Sequence, residues 1–63
     1  MSKSVVIKVV LTSAEAMAFA QFLKRSTYND YRSNSIDDAE AYHMIAAGGQ
    51  IRKALAESGY APR

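Results

Sequence analysis

Residues 4–12 alternate between two faces. Val5, Ile7, Val9 and Leu11 form one face, and Ser4, Val6, Lys8, Val10 and Thr12 the other. A two-residue period is that of an extended strand, so the pattern predicts a strand over residues 4–11. Its first face is wholly apolar and is expected to lie on helices. Its second face is mixed. Nothing later in the chain repeats this alternation, so the strand has no mate within the chain. An unmated strand leaves N–H and C=O groups that must be paired or covered, and the simplest partner is the same strand of a second copy. The expected fold class is therefore α+β. A β-α-α protomer would pair its N-terminal strands antiparallel in a homodimer, with a two-helix hairpin in each chain and Val5, Ile7, Val9 and Leu11 at the dimer interface.

The pattern then changes period. Ala16, Phe19, Ala20 and Leu23 recur at the spacing of one helical face, with Phe22 beside them. Thr12 and Glu15 form a capping box, and Lys24 and Arg25 fall where the dipole of the last turn favours cations. These signals predict a helix over residues 13–25. Residues 26–34 have no sustained period and read as a loop, with room for one helical turn around Asn29–Arg32. Ser35 with Asp38 reads as a second capping box, opening a helix over residues 36–58. Met44, Ala47, Gly48, Ile51, Ala54 and Leu55 form its core stripe, with Ala41 and Ile45 widening it. Gly59 suits the left-handed position after the helix, with Tyr60 folding back on Leu55 in a Schellman-type ending. Gly48 and Gly49 together cost roughly 2 kcal/mol relative to alanine. Gly48 lies in the stripe, so close approach of another helix is expected there, and it joins the dimer-interface set. Gly49 lies off the stripe.

At 63 residues the chain has room for one small domain, near the size at which a monomeric core is marginal. It contains no cysteine, so neither disulfides nor a thiolate zinc site can supply stability. With 49% apolar residues it reads as folded rather than disordered. A formal charge of +2 is weakly permissive of nucleic acid and nothing more. The N-terminal segment is too short and too charged to span a bilayer, and a cytoplasmic location is the default.

Candidate chemistry is sparse. His43 is the single histidine, and metal sites want three or four ligands. Asp37, Asp38 and Glu40 resemble a carboxylate cluster, but Asp37 and Asp38 stand where caps and the helix dipole want them. No pocket that would bind a substrate and shift a pKa is expected from one strand and two helices. The expectation is no enzyme, with no catalytic residue, metal, cofactor or small-molecule substrate. The most suggestive surface cluster is Lys24, Arg25, Tyr28, Tyr31 and Arg32. Tyrosine and arginine are enriched where proteins bind partners. The same tyrosines would also suit stacking on bases, or packing over the open end of the hairpin.

A strand followed by two helices resembles, in element order, the ribbon-helix-helix DNA-binding dimers, whose paired strands enter the major groove. In that reading Lys8, doubled by symmetry, is the candidate base contact. The valines around it and the long second helix depart from that pattern. The segments Leu11-Thr12, Phe22-Leu23-Lys24-Arg25, Asp30-Tyr31-Arg32, Asp38-Ala39-Glu40-Ala41-Tyr42 and Ile51 to Arg63 together resemble a family of short uncharacterised bacterial and phage-associated proteins. That resemblance implies a small domain of unknown function and transfers no active-site roles. The leading expectation is thus a small noncatalytic protein-interaction or regulatory module, homodimeric, with an unidentified protein partner. The alternative is a small dimeric DNA-binding regulator.

Overall fold

The computed structural model describes residues 3–63. Three helices follow one another: α1 (Ser13–Arg25), α2 (Tyr28–Ser33) and α3 (Asp38–Glu57). Helix α1 starts where its capping box puts it. The Glu15 N–H donates to Thr12 Oγ1 at 3.1 Å, and Thr12 N–H donates to Glu15 Oε1 at 2.8 Å. Two otherwise orphaned donors are thereby satisfied. The helix ends at Ser26, whose N–H and hydroxyl both donate to the Phe22 carbonyl.

The segment expected to be a loop is instead helix α2. Thr27 and Asp30 form a capping box of their own, with Thr27 N–H donating to Asp30 Oδ2 at 2.8 Å. Side chains also close its far end. Ser33 Oγ and Asn34 Nδ2 donate to the Asp30 carbonyl, and Ser35 Oγ donates to those of Tyr31 and Arg32. Ser35 is therefore committed to α2, and the cap of α3 passes to Asp37, whose Oδ1 accepts the Glu40 N–H at 2.8 Å. Glu40 returns a bond from its carboxylate to Ile36 N–H.

Helix α3 terminates as its sequence suggests. Gly59 has φ of 99°, Tyr60 N–H donates to the Leu55 carbonyl at 2.8 Å, and Gly59 N–H donates to that of Ala56. These are the paired bonds of a Schellman ending. Tyr60 then packs on the core, and its hydroxyl donates to Ser13 Oγ at 2.9 Å, joining the end of α3 to the start of α1.

The core is small. Ala16, Ala20 and Leu23 of α1 face Leu55 of α3, while Ala41 and Gly48 are buried further along α3. Among the described residues no large side chain is fully buried. Phe19, expected in the core stripe, is exposed, as is Phe22.

The expected α+β class is overturned. Residues 3–12 belong to no helix or strand, and no sheet is present among the described residues. The β-α-α protomer and its antiparallel strand pairing are therefore corrected to an all-helical fold with an extended N-terminal segment. The physical reason is the one that made the strand conspicuous. A ladder needs a second strand, and a lone extended segment can satisfy its backbone groups with water instead. At Gly48 the expected close approach of another helix is met within the chain, by α1 and α2. A Cβ built there would lie 2.7 Å from the Tyr31 hydroxyl oxygen and 3.5 Å from Leu23 Cδ2, so the chain's own side chains fill its close approach.

Candidate interaction surface

The extended segment does not lie free of the helices. Ile7, Val9 and Leu11 line an open groove of about 890 Å³ together with Phe19 and Phe22 of α1 and Ile51, Ala54 and Leu55 of α3. These are alternate residues of the segment, so the two-residue period survives without a sheet. Exposure follows it. Ile7 and Val9 are 68% and 65% exposed, against 86% and 98% for Val6 and Val10. Among the described residues the groove's one charged lining residue is Glu15, whose carboxylate is engaged with the Thr12 N–H.

Phe19 and Phe22 stack at 5.5 Å between ring centroids. They also line a second recess of about 780 Å³, bounded by Arg25, Asp30, Tyr31 and Met44. The aromatic pair is therefore a ridge with a hollow on either side. Phe22 is 58% exposed, Phe19 41% and Ile51 38%. A folded chain with few buried large side chains thus gathers Ile7, Val9, Leu11, Phe19, Phe22 and Ile51 around one exposed groove.

The chain matches, over residues 1–63, the model of a family described as Family of unknown function (DUF7706). It belongs to that family. No curated protein and no solved structure matches it. DUF7706 membership agrees with the resemblance to short uncharacterised proteins. The ribbon-helix-helix likeness receives no support, because this DUF7706 chain has no ribbon among the described residues. Lys8, its candidate base contact, is an exposed side chain on the extended segment. The DNA-reading alternative loses the element it required.

The cluster of Lys24, Arg25, Tyr28, Tyr31 and Arg32 is brought together around α2, largely for internal use. Arg32 Nε donates to Asp38 Oδ1 at 2.7 Å, and Tyr28 Oη donates to the same oxygen at 3.0 Å. Arg32 Nη1 also donates to the Ser35 carbonyl. Tyr28 lies 5.8 Å from Tyr42, ring to ring. Tyr31 covers Gly48. Three members of the cluster therefore fasten α2 to α3. Lys24 is half-buried and Arg25 is exposed at the edge of the second recess.

The titration behaviour of these groups has the same structural origin. The hydrogen bond from Tyr28, then the bond and charge of Arg32, hold Asp38 below the usual carboxylate value. The bond to Asp38 raises the Tyr28 hydroxyl. The backbone N–H of Thr27, then its hydroxyl, lowers Asp30. Each shift favours the charge state the group already has at neutral pH.

Two features of this DUF7706 member escape the sequence pattern. Thr27-x-x-Asp30 is a legible capping box, but six residues of helix are too few to show a period. The outward placement of Phe19 had no local signal. The i, i+3, i+4, i+7 stripe that includes it is wider than the contact with α3, and only packing decides which edge stays open.

Proposed function

We propose that this chain is a small noncatalytic accessory module that works by binding a polypeptide through the face built on Phe19 and Phe22. The observation that carries the reading is the apolar groove itself, where Ile7, Val9 and Ile51 stand exposed beside a stacked aromatic pair. Aromatic anchors next to an apolar recess are the usual energetic centre of a protein interface. The noncatalytic part rests on the groups that elsewhere would suggest chemistry. Asp30, Asp38 and Tyr28 are shifted by bonds that cap or fasten helices, so their perturbation is accounted for by the fold. No helix among the described residues is long and apolar enough to cross a membrane, and the proposed setting is the cytoplasm.

The test is a photo-crosslinking residue placed at Phe22 in living cells, with Lys53 as the control position. Binding through this face predicts a discrete adduct of defined mass from position 22 and none from position 53. No adduct at position 22, or the same adducts from both positions, would remove the reading.

A further inference from the structure

We infer that the groove is covered by a second copy of this chain. The two copies would be related by a two-fold axis, with the Phe19–Phe22 ridge of each seated in the other's groove beside Ile7, Val9 and Ile51. The inference rests on the reading of this face as an interaction surface, and names its occupant.

Surface area is the first argument. A folded monomer of 6.9 kDa is expected to expose about 4,000 Å², whereas this chain exposes 5337 Å². The excess of about 1,300 Å², which includes the outward side of the extended segment as well as the groove, is larger than the ~800 Å² that each partner contributes to an interface of standard size. Shape is the second. A two-fold contact must be self-complementary, because the same patch appears on both sides. A projecting ridge with a hollow directly beside it meets that condition, since each copy offers what the other lacks. Charge is the third. Glu15 already has its carboxylate bonded to its own chain, so the groove suits an apolar occupant.

The choice of a copy over an unrelated protein comes from the core. Among the described residues, three of the five buried apolar side chains are alanines, so this chain gains little from its own interior. A cover that completes the fold must be available whenever the chain is made. A second copy is supplied at matching concentration by construction.

Sedimentation equilibrium on the purified chain is the direct test. We expect a reversible species of twice 6.9 kDa. Phe22→Glu should raise the dissociation constant by at least about 30-fold, the loss expected at a central aromatic anchor, while helical circular dichroism persists. Val10→Glu lies outside the groove and should leave association unchanged. Should Phe22→Glu fail to fold, cysteine trapping decides, because the chain has no thiol of its own. Mixed Ile7→Cys and Phe22→Cys chains should oxidise to a crosslinked dimer, and Val10→Cys mixed with Phe22→Cys should not. A wild-type chain that stays folded and monomeric at every concentration overturns the inference, as does equal trapping from Val10→Cys. If that monomer still gives a heavier adduct from position 22 in cells, only the second copy is refuted. If it gives none, the interaction reading fails too.

Discussion

The two ends of the described chain, residues 3–12 and residues 58–63, both lie outside helices, yet they are finished in opposite ways. The C-terminal end is closed by its own chain. Gly59 turns back, Tyr60 bonds to the Leu55 carbonyl and packs on the core, and its hydroxyl reaches Ser13. The N-terminal segment holds the most apolar run of the molecule and leaves Val5, Val6, Ile7, Val9 and Val10 largely exposed. The contrast teaches that lack of regular structure says little about whether a segment is complete. What matters is whether its polar groups have partners and its apolar groups have cover. One tail has both within the chain. The other has only partial cover for Ile7 and Val9 and almost none for Val6 and Val10.

Deleting one end and then the other should break this comparison most sharply. Removal of Gly59–Arg63 strips the Leu55 side of its cover and reopens the carbonyls of α3. A loss of about 2–4 kcal/mol is expected, the scale of removing a packed aromatic with its bonds, read by urea unfolding. Removal of residues 1–10 should leave helical circular dichroism intact. Its effect should be to make the melting temperature independent of protein concentration, because the groove has lost a wall. If the two truncations unfold the chain equally, the contrast between closed and open ends is wrong.

Helix α3 repeats the contrast on two adjacent glycines. Gly48→Leu drives a side chain into Tyr31 and Leu23 and should destabilise by roughly 1–3 kcal/mol, as overpacking does. A Cβ added at Gly49 would meet nothing within 4 Å, and Gly49→Ala should stabilise by about 1 kcal/mol through helix propensity alone. Melting curves of both variants in one buffer check the opposite signs; shifts in the same direction would mean that α3 packs differently.

The smallest effect sharpens the polar seam between α2 and α3. Asp30 and Asp38 are held below their ordinary value of 3.8. Their contribution to stability is therefore complete above that value, and it is lost as pH falls through it toward the lower folded values. Tyr28 is raised above 10.0, so its contribution is complete below that pH and is lost as pH rises beyond the folded value. Asp38→Asn should flatten part of the acid limb of a urea-midpoint profile and blunt the alkaline one, since both Tyr28 and Arg32 bond to it. An unchanged profile would show that the seam contributes nothing to folding.

Local signals in the chain were legible wherever a few neighbouring residues complete an interaction. Thr12 with Glu15 set the start of α1 to the residue, and Gly59 with Tyr60 set the ending of α3, because caps are closed within five or six positions. Ser35 misled for an equally local reason. It stands between two helices and can serve either, and it bonds to the carbonyls of α2. Thr27 with Asp30 carried the missing helix, hidden by the shortness of the segment that followed.

The order of the two long helices, the start of α1, the ending of α3, and the alternation that turns Ile7, Val9 and Leu11 to one side were determined by the sequence alone, since each follows from side-chain spacing along a single element. Whether that alternating segment became a strand was a tertiary matter, because a ladder exists only between two segments. So was the fate of Phe19 and Phe22. The spacing put Phe19 in the stripe that includes Ala16, Ala20 and Leu23, with Phe22 beside it, but α3 covers only the small residues and Leu23. Packing left the aromatics outside, on the rim of the open groove.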